Sequence, residues 1–113
     1  MVKAFETIEK ARGDITLTYY EYTTLAALLV LTVEQPEVII LEVGLGGRLD
    51  ATNIIDADIA VISTIDLDHQ AFLGDTREAI GFEKAGIMRA NQVVVIGDTN
   101  PPSSLANHAN SIG

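Results

Sequence analysis

Apolar and polar positions along this chain follow two different periods. Val2, Phe5 and Ile8 recur at helical spacing with charges between them, and Gly13 follows, which predicts a short amphipathic helix over residues 2–12. Thr18 and Glu21 make the threonine-x-x-glutamate pattern of a capping box. A run of Thr, Leu, Ala and Val then lasts to Gln35, where Pro36 forbids continuation. Leu25, Leu28, Leu29, Val30, Leu31 and Val33 cover most of the circumference of that helix, so it is expected between a sheet and a further layer. Tyr19, Tyr20 and Tyr22 at its start read either as a stacking surface or, more commonly, as packing at a helix entrance.

Three short runs have the solid apolar, β-branched character of strands buried on both faces: residues 38–43, Ile59 to Ser63 and Val93 to Gly97. Between the last two, Thr76 to Met88 reads as a helix with Asp75 or Thr76 as N-cap, Glu78 in its first turn and a turn at Asn91 after it. Strand, helix, strand at this spacing predicts a parallel crossover. Pro101, Pro102, Ser103 and Ser104 open a helical stretch from Leu105 to Ile112. The expected fold class is therefore α/β: three layers, a mostly parallel sheet of about three strands, and flanking helices. With no repeat or low-complexity tract, residues 1–113 are expected to form a single partial domain that ends in mid-unit.

The 113 residues are 48% hydrophobic, which suits a buried sheet rather than a disordered segment. Sixteen acidic residues against seven Lys and Arg give a formal charge of −9, which disfavours nucleic acid or an anionic membrane as partner and favours cations. The absence of cysteine excludes disulfides, thiolate zinc sites and cysteine nucleophiles, and is compatible with the cytoplasm. Lys3, Glu6, Glu9 and Lys10 interrupt any apolar stretch at the start, so no signal peptide is expected there. Leu25 to Val33 is too short to span a membrane.

In open α/β sheets ligands bind beyond the carboxyl ends of the strands, and the polar residues of this chain gather there. Glu42 ends the first run and leads into Gly44-Leu45-Gly46-Gly47-Arg48-Leu49-Asp50-Ala51-Thr52-Asn53, a loop suited to a polar ligand or hydrated cation and equally to a plain turn between strands. The second run offers Ser63, Thr64, Asp66, Asp68 and His69, and the third Asp98. Glu42, Asp66, Asp68 and His69 are hard oxygen donors plus one imidazole, a set for Mg²⁺ or Mn²⁺ beside a phosphate rather than for tetrahedral zinc. A lone histidine in a loop is more often an ordinary polar residue, and only the acids beside His69 raise it. Lys84, among Phe82, Ala85, Ile87 and Met88, is either the kind of lysine that carbamylation or nucleophilic use requires or a solvated partner of Glu83, and spacing alone favours the latter. Phosphate-loop, dinucleotide-binding, serine-elbow and zinc-protease motifs are absent.

Three ordered motifs, EVGLGGRLDATN at 42–53, Leu67-Asp68-His69 followed by Phe72-Leu73-Gly74, and Glu83-Lys84-Ala85-Gly86-Ile87, together with the aromatic helix start at 18–22, resemble the folylpolyglutamate synthase and dihydrofolate synthase family of the Mur ligase superfamily. The resemblance covers most of the chain and implies the central ATPase domain. In that family ATP phosphorylates a folate carboxylate, the amine of glutamate attacks the acyl phosphate, and Mg²⁺ stabilises the charge on the transferring phosphoryl group. Carried over by position, Glu42 and His69 resemble the Mg²⁺ ligands and Lys84 the carbamylated lysine, which reverses the preference drawn from spacing. Asp50 resembles an acid near the pterin or folate site, with Arg48, Thr52 and Asn53 in the same motif. Gln70-Ala71-Phe72 departs from the threonine, acid and tryptophan common there.

The family's phosphate loop lies upstream of these motifs and its glutamate-binding domain downstream. The resemblance therefore implies a segment that alone binds neither Mg²⁺ nor ATP tightly and has no ligase activity. Its partners would be folate or dihydropteroate and glutamate, with no nucleic acid and no membrane. Removal of neighbouring strands would leave an apolar sheet edge or helix face exposed, so a homo-oligomer is expected. The competing reading is a non-catalytic truncated paralogue acting as a self-associating or ligand-binding module. A weaker one is an unrelated Mg²⁺-dependent phosphate enzyme using the strand-end acids alone.

Overall fold

The computed structural model describes all 113 residues, which divide into two compact units, Met1–Glu42 and Val43–Gly113. No helix is long and apolar enough to cross a membrane.

The first unit is a pair of helices, α1 (Val2–Arg12) and α2 (Tyr19–Glu34). Ala4 and Ile8, one turn apart on α1, are buried against Ala26 of α2, with Leu17, Tyr22, Leu25, Leu29 and Val30 packed around them. Val2 is exposed and Phe5 is at the margin, so the buried stripe lies beside the one read from the sequence. Of the three tyrosines, Tyr22 packs, its ring 5.7 Å from that of Phe5 and its hydroxyl donating to the Phe5 carbonyl. Tyr19 and Tyr20 are exposed.

Both ends of α2 form as its sequence requires. The Glu21 N–H donates to Thr18 Oγ1 at 3.2 Å and the Thr18 N–H to Glu21 Oε2 at 2.7 Å, which closes the capping box. At the other end Gln35 takes a left-handed conformation (φ 46°) and Pro36 follows. No sheet lies in this unit, however, and Ala26 is the only fully buried residue of α2. The expected sandwiching of this helix is therefore not what the first unit contains.

The run 38–43 likewise forms no strand. Its β-branched residues favour extended backbone, but a strand exists only through a ladder, and neither strand of the sheet pairs with it. Val38 and Ile40 are correspondingly exposed.

The second unit holds β1 (Ile59–Ile62), α3 (Gln70–Leu73), α4 (Arg77–Ala85), β2 (Val93–Ile96) and α5 (Ser103–Ile112), with a single 3₁₀ turn at Ala51–Ile54 before β1. β1 and β2 pair in parallel, Ile59 opposite Val93 and Ile62 opposite Ile96, so the fold class is α/β with a sheet of two strands rather than three. One face is covered: Ile62, Ile65, Ile80, Ala85, Met88 and Leu105 form the core, with Leu73, Ile87, Val94 and Ile112 against it. The opposite face is open. Ile59, Val61, Val93 and Val95 are 49–64% exposed, so these strands are buried on one face and not on both.

Two carboxylates hold the helices and strand ends in place. Glu78 of α4 accepts from the N–H groups of Ser103 (2.9 Å) and Ser104 (2.8 Å), supplying the cap that Pro102 cannot give α5. Asp98, beyond β2, accepts from the N–H of Ile65 (3.0 Å), the N–H of Asn100 (2.8 Å) and Arg77 Nη2 (2.8 Å), so it fastens the exit of β1 to that of β2. The Ser104 N–H, followed by that of Ser103, keeps the Glu78 carboxyl below its usual range. For Asp98 the N–H of Ile65 acts most strongly in the same direction, then that of Asn100, with Arg77 adding to them.

When the chain unfolds, both carboxyls return to ordinary values of about 4, so the unfolded state takes up protons first as pH falls. Their stabilisation is complete above that range and is lost as pH drops through the lowered folded values. Urea midpoints measured from neutral to acid pH should therefore decline on the acid side. The decline should be smaller in Asp98→Asn and Glu78→Gln, each starting from a lower midpoint at neutral pH. A decline as large in both variants as in the parent chain contradicts the assignment.

Candidate functional site

The glycine loop is held from within by Asp50. Its Oδ2 accepts from the N–H groups of Gly44 and Leu45, both at 3.0 Å, while Oδ1 accepts from the Thr52 N–H at 2.9 Å and the Thr52 hydroxyl at 2.7 Å. One carboxylate thus folds the loop back and caps the 3₁₀ turn that follows.

The glycines are needed for contact with protein. Gly47 has φ 147°, and a Cβ there would stand 2.9 Å from the Glu83 carbonyl oxygen, 3.0 Å from Ile87 Cγ2 and 3.3 Å from Lys84 Cα. A Cβ on Gly46 (φ 70°) would stand 2.8 Å from Leu73 Cδ2 of α3. From the other side, a Cβ on Gly86, just past α4, would meet Arg48 Cβ at 2.4 Å. The loop therefore beds onto the last turn of α4 and touches α3. It is not a turn between two strands, since the run before it forms no strand.

Polar contacts complete this seam. The Arg48 N–H donates to the Glu83 carbonyl at 2.8 Å, and its guanidinium pairs with the Glu83 carboxylate through Nη2 at 3.0 Å while lying 5.6 Å from the centre of the Phe82 ring. Asn53 Nδ2 donates both to the Arg48 carbonyl and to the Gly86 carbonyl, each at 3.0 Å. Arg89 then donates from Nη2 to Asn53 Oδ1 at 3.0 Å and to the Asn53 carbonyl at 2.9 Å, from Nη1 to the carbonyls of Gly86 and Met88, and from Nε to Asp56. Sequence reasoning passed over Arg89. Its signal was a basic residue just beyond a helix end, where unpaired carbonyls collect.

Lys84 sits half-buried in that last turn, its backbone against Gly47. His69 precedes α3 in a left-handed conformation (φ 50°), is exposed, and has Nε2 3.6 Å from Asp68 Oδ2. Its helix reaches the same loop through Leu73 and Gly46. So the elements that carry His69 and Lys84 both meet the glycine loop.

Glu42 is exposed at the end of the first unit. Asp66 and Asp68 accept the N–H of the residue that follows each. No three His, Asp or Glu side chains are grouped to enclose a cation. Asp98, with a side chain only 7% exposed, belongs to the Arg77 network and is not a free ligand at a strand end. A single exposed carboxylate such as that of Glu42 is, in donor chemistry, the kind of hard oxygen Mg²⁺ accepts when phosphate and water complete its shell.

The Mur ligase middle domain model matches residues 1–112. The dihydrofolate synthase/folylpolyglutamate synthase of Escherichia coli (strain K12) is 56% identical over 110 residues, which are 97% of this chain and 26% of that protein. The protein of the same description from Haemophilus influenzae is 58% identical over 97 residues, 86% of this chain and 22% of its own length. Among solved structures, E. coli FolC in complex with ADP, without folate substrate, matches with a TM-score of 0.93 at 55% identity, covering 97% of this chain and 27% of that one. The bifunctional folylpolyglutamate synthase/dihydrofolate synthase from Yersinia pestis, complexed with AMPPNP and Mn ion, matches with a TM-score of 0.90 at 52% identity over the same shares. The chain spans about a quarter of the length of the curated relatives it matches.

If the loop and α4 are interlocked, a methyl group at Gly86 cannot be accommodated without displacing the Arg48 backbone. Gly86→Ala should lower stability by about 1–3 kcal/mol, the usual cost of overpacking. Denaturant unfolding followed by circular dichroism measures it, and an unchanged midpoint would show that the seam is looser than described.

Proposed function

The chain belongs to the Mur ligase middle-domain family, and from that membership we propose that it is a segment of the central ATPase domain of an ATP-dependent amide ligase adding glutamate to folate or dihydropteroate through an acyl phosphate. Its two compact units are read as parts of that one partial domain, in a cytoplasmic enzyme. The observation that carries the proposal is the 56% identity, over 97% of the chain, to a dihydrofolate synthase/folylpolyglutamate synthase. Solved relatives with ADP, and with AMPPNP and Mn, support ATP and a divalent metal as the partners of the complete enzyme.

When bound, Mg²⁺ neutralises charge on the transferring phosphoryl group. Glu42 would supply it a carboxylate oxygen and His69 an imidazole nitrogen. Lys84 is proposed to act as its carbamate: the ammonium gives one proton to solvent, the neutral amine attacks the carbon of CO₂ as one C=O π pair moves onto oxygen, and a second proton leaves the nitrogen to solvent, so a cationic side chain becomes a carboxylate-like one. Of the three residues expected at the substrate side, Arg48 keeps 41% of its side chain exposed beside its pairing with Glu83 and is the one proposed to touch folate or dihydropteroate. Asp50 and Asn53 have their side chains engaged within the chain and shape the loop that presents it. Positioning of the nucleotide phosphates lies outside these residues, so the chain alone is proposed to bind Mg²⁺ and ATP weakly and to lack ligase activity.

A chimera tests this directly. With this chain in place of the segment it matches in the E. coli relative, ATP-dependent addition of glutamate should be retained. His69→Ala or Lys84→Ala in that chimera should lower kcat by about 100-fold or more, the scale of losing transition-state charge stabilisation. A folded chimera that is inactive, or one indifferent to both substitutions, overturns the proposal.

One observation favours the second reading, a self-associating module: the open face of Ile59, Val61, Val93 and Val95. Sedimentation of the isolated chain at micromolar concentration should then show a dimer or larger species. A monomer throughout that range contradicts it.

A further inference from the structure

The backbone on both sides of Lys84 is tied to the glycine loop. One residue before it, the Glu83 carbonyl accepts from the Arg48 N–H at 2.8 Å. Two residues after it, the Gly86 carbonyl accepts from Asn53 Nδ2 at 3.0 Å and from Arg89 Nη1 at 3.2 Å. The last carbonyls of a helix have no intrahelical partner, and here a side-chain amide and a guanidinium from outside the helix supply one. Asn53 also donates to the Arg48 carbonyl, so a single amide nitrogen bridges loop and helix, and Arg89 holds that amide through Oδ1.

We propose that Asn53 and Arg89 are positioning residues that fix Lys84 relative to the glycine loop. The geometry is demanding. Asparagine presents two donors and an acceptor from one planar group, and arginine reaches several carbonyls at once, which a lysine ammonium at the same place does not. Aspartate at position 53 would keep the shape and lose both donors. The inference rests on Lys84 being the working group of the proposed ligase, and its test does not require activity.

The test uses the full 113-residue chain and its Asn53→Asp, Asn53→Ala, Arg89→Lys and Arg89→Ala variants. Two quantities are read: the rate at which an amine-acylating reagent modifies Lys84 as a function of pH, and hydrogen exchange at single amides. The expected result is a change of about threefold or more in Lys84 acylation, with the pH profile displaced, in all four variants. It should be accompanied by faster exchange at the Arg48 N–H and unchanged protection at the Gly97 N–H, which bonds to Ile62 beside the sheet, since local opening need not involve the whole unit. Arg89→Lys should fail to restore the parent profile.

Three results overturn the inference: an unaltered Lys84 profile despite faster exchange at Arg48, full rescue by Arg89→Lys, and uniform loss of protection at Arg48 and Gly97 together. An inactive chimera with the Lys84 profile displaced as expected would count against the ligase reading alone.

Discussion

The second unit depends on how closely its glycine loop approaches the end of α4. Gly47 and Gly86 stand where a single additional carbon on either side would meet the other segment's backbone, at 2.9 Å from the Glu83 carbonyl in one case and 2.7 Å from Arg48 Cα in the other. Contact at that range brings main-chain donors and acceptors within reach of each other, as the bond from Arg48 to the Glu83 carbonyl shows. Steric permission therefore comes first, and the hydrogen bonds follow from it.

From this seam the placement of the candidate residues follows. Lys84 is in the turn the loop covers, and His69 opens the short helix whose far end, Leu73, faces Gly46. Below them lies a shared core in which Ile80 and Ala85 of α4 meet Ile62 of β1 and Leu105 of α5. Away from the loop the same helix is fixed by Glu78 capping α5 and by Arg77 bonded to Asp98. α4 is thus restrained near its beginning by strand-end and cap contacts and at its close by the glycines. A lysine in such a helix has its backbone fixed even though its own side chain is only half-buried.

Elements with a local cause were legible in the sequence. The capping box at Thr18 and Glu21, the breaker at Pro36, the N-cap at Thr76 and the two β-branched runs that became β1 and β2 each announce themselves within a few residues. The run 38–43 has the same local character as those strands and lacks a ladder, because pairing is decided by a neighbour rather than by the run itself. One-sided burial of the sheet was hidden for a similar reason: an apolar strand reads alike whether one face or both are covered. Within the candidate site, the ordered motifs named the loop and the helix turn that meet, yet the contacts that join them were invisible. Asn53 and Arg89, 36 positions apart, bond to each other, and Arg48 pairs with Glu83 across 35. Gly46 and Gly47 leave the room that neighbouring helices fill, a contact no local pattern announces.

The most direct measurement of this account is a proton–proton Overhauser experiment on the isotope-labelled chain, read between the Gly47 α-protons and the Ile87 γ2-methyl and Lys84 α-proton. Interlocked segments give cross-peaks to both residues, because a Cβ on Gly47 would stand only 3.0 Å from Ile87 Cγ2 and 3.3 Å from Lys84 Cα. Absence of both cross-peaks, in a chain that still shows the parallel contacts between Ala60 and Val94, would contradict the seam and with it the placement of Lys84.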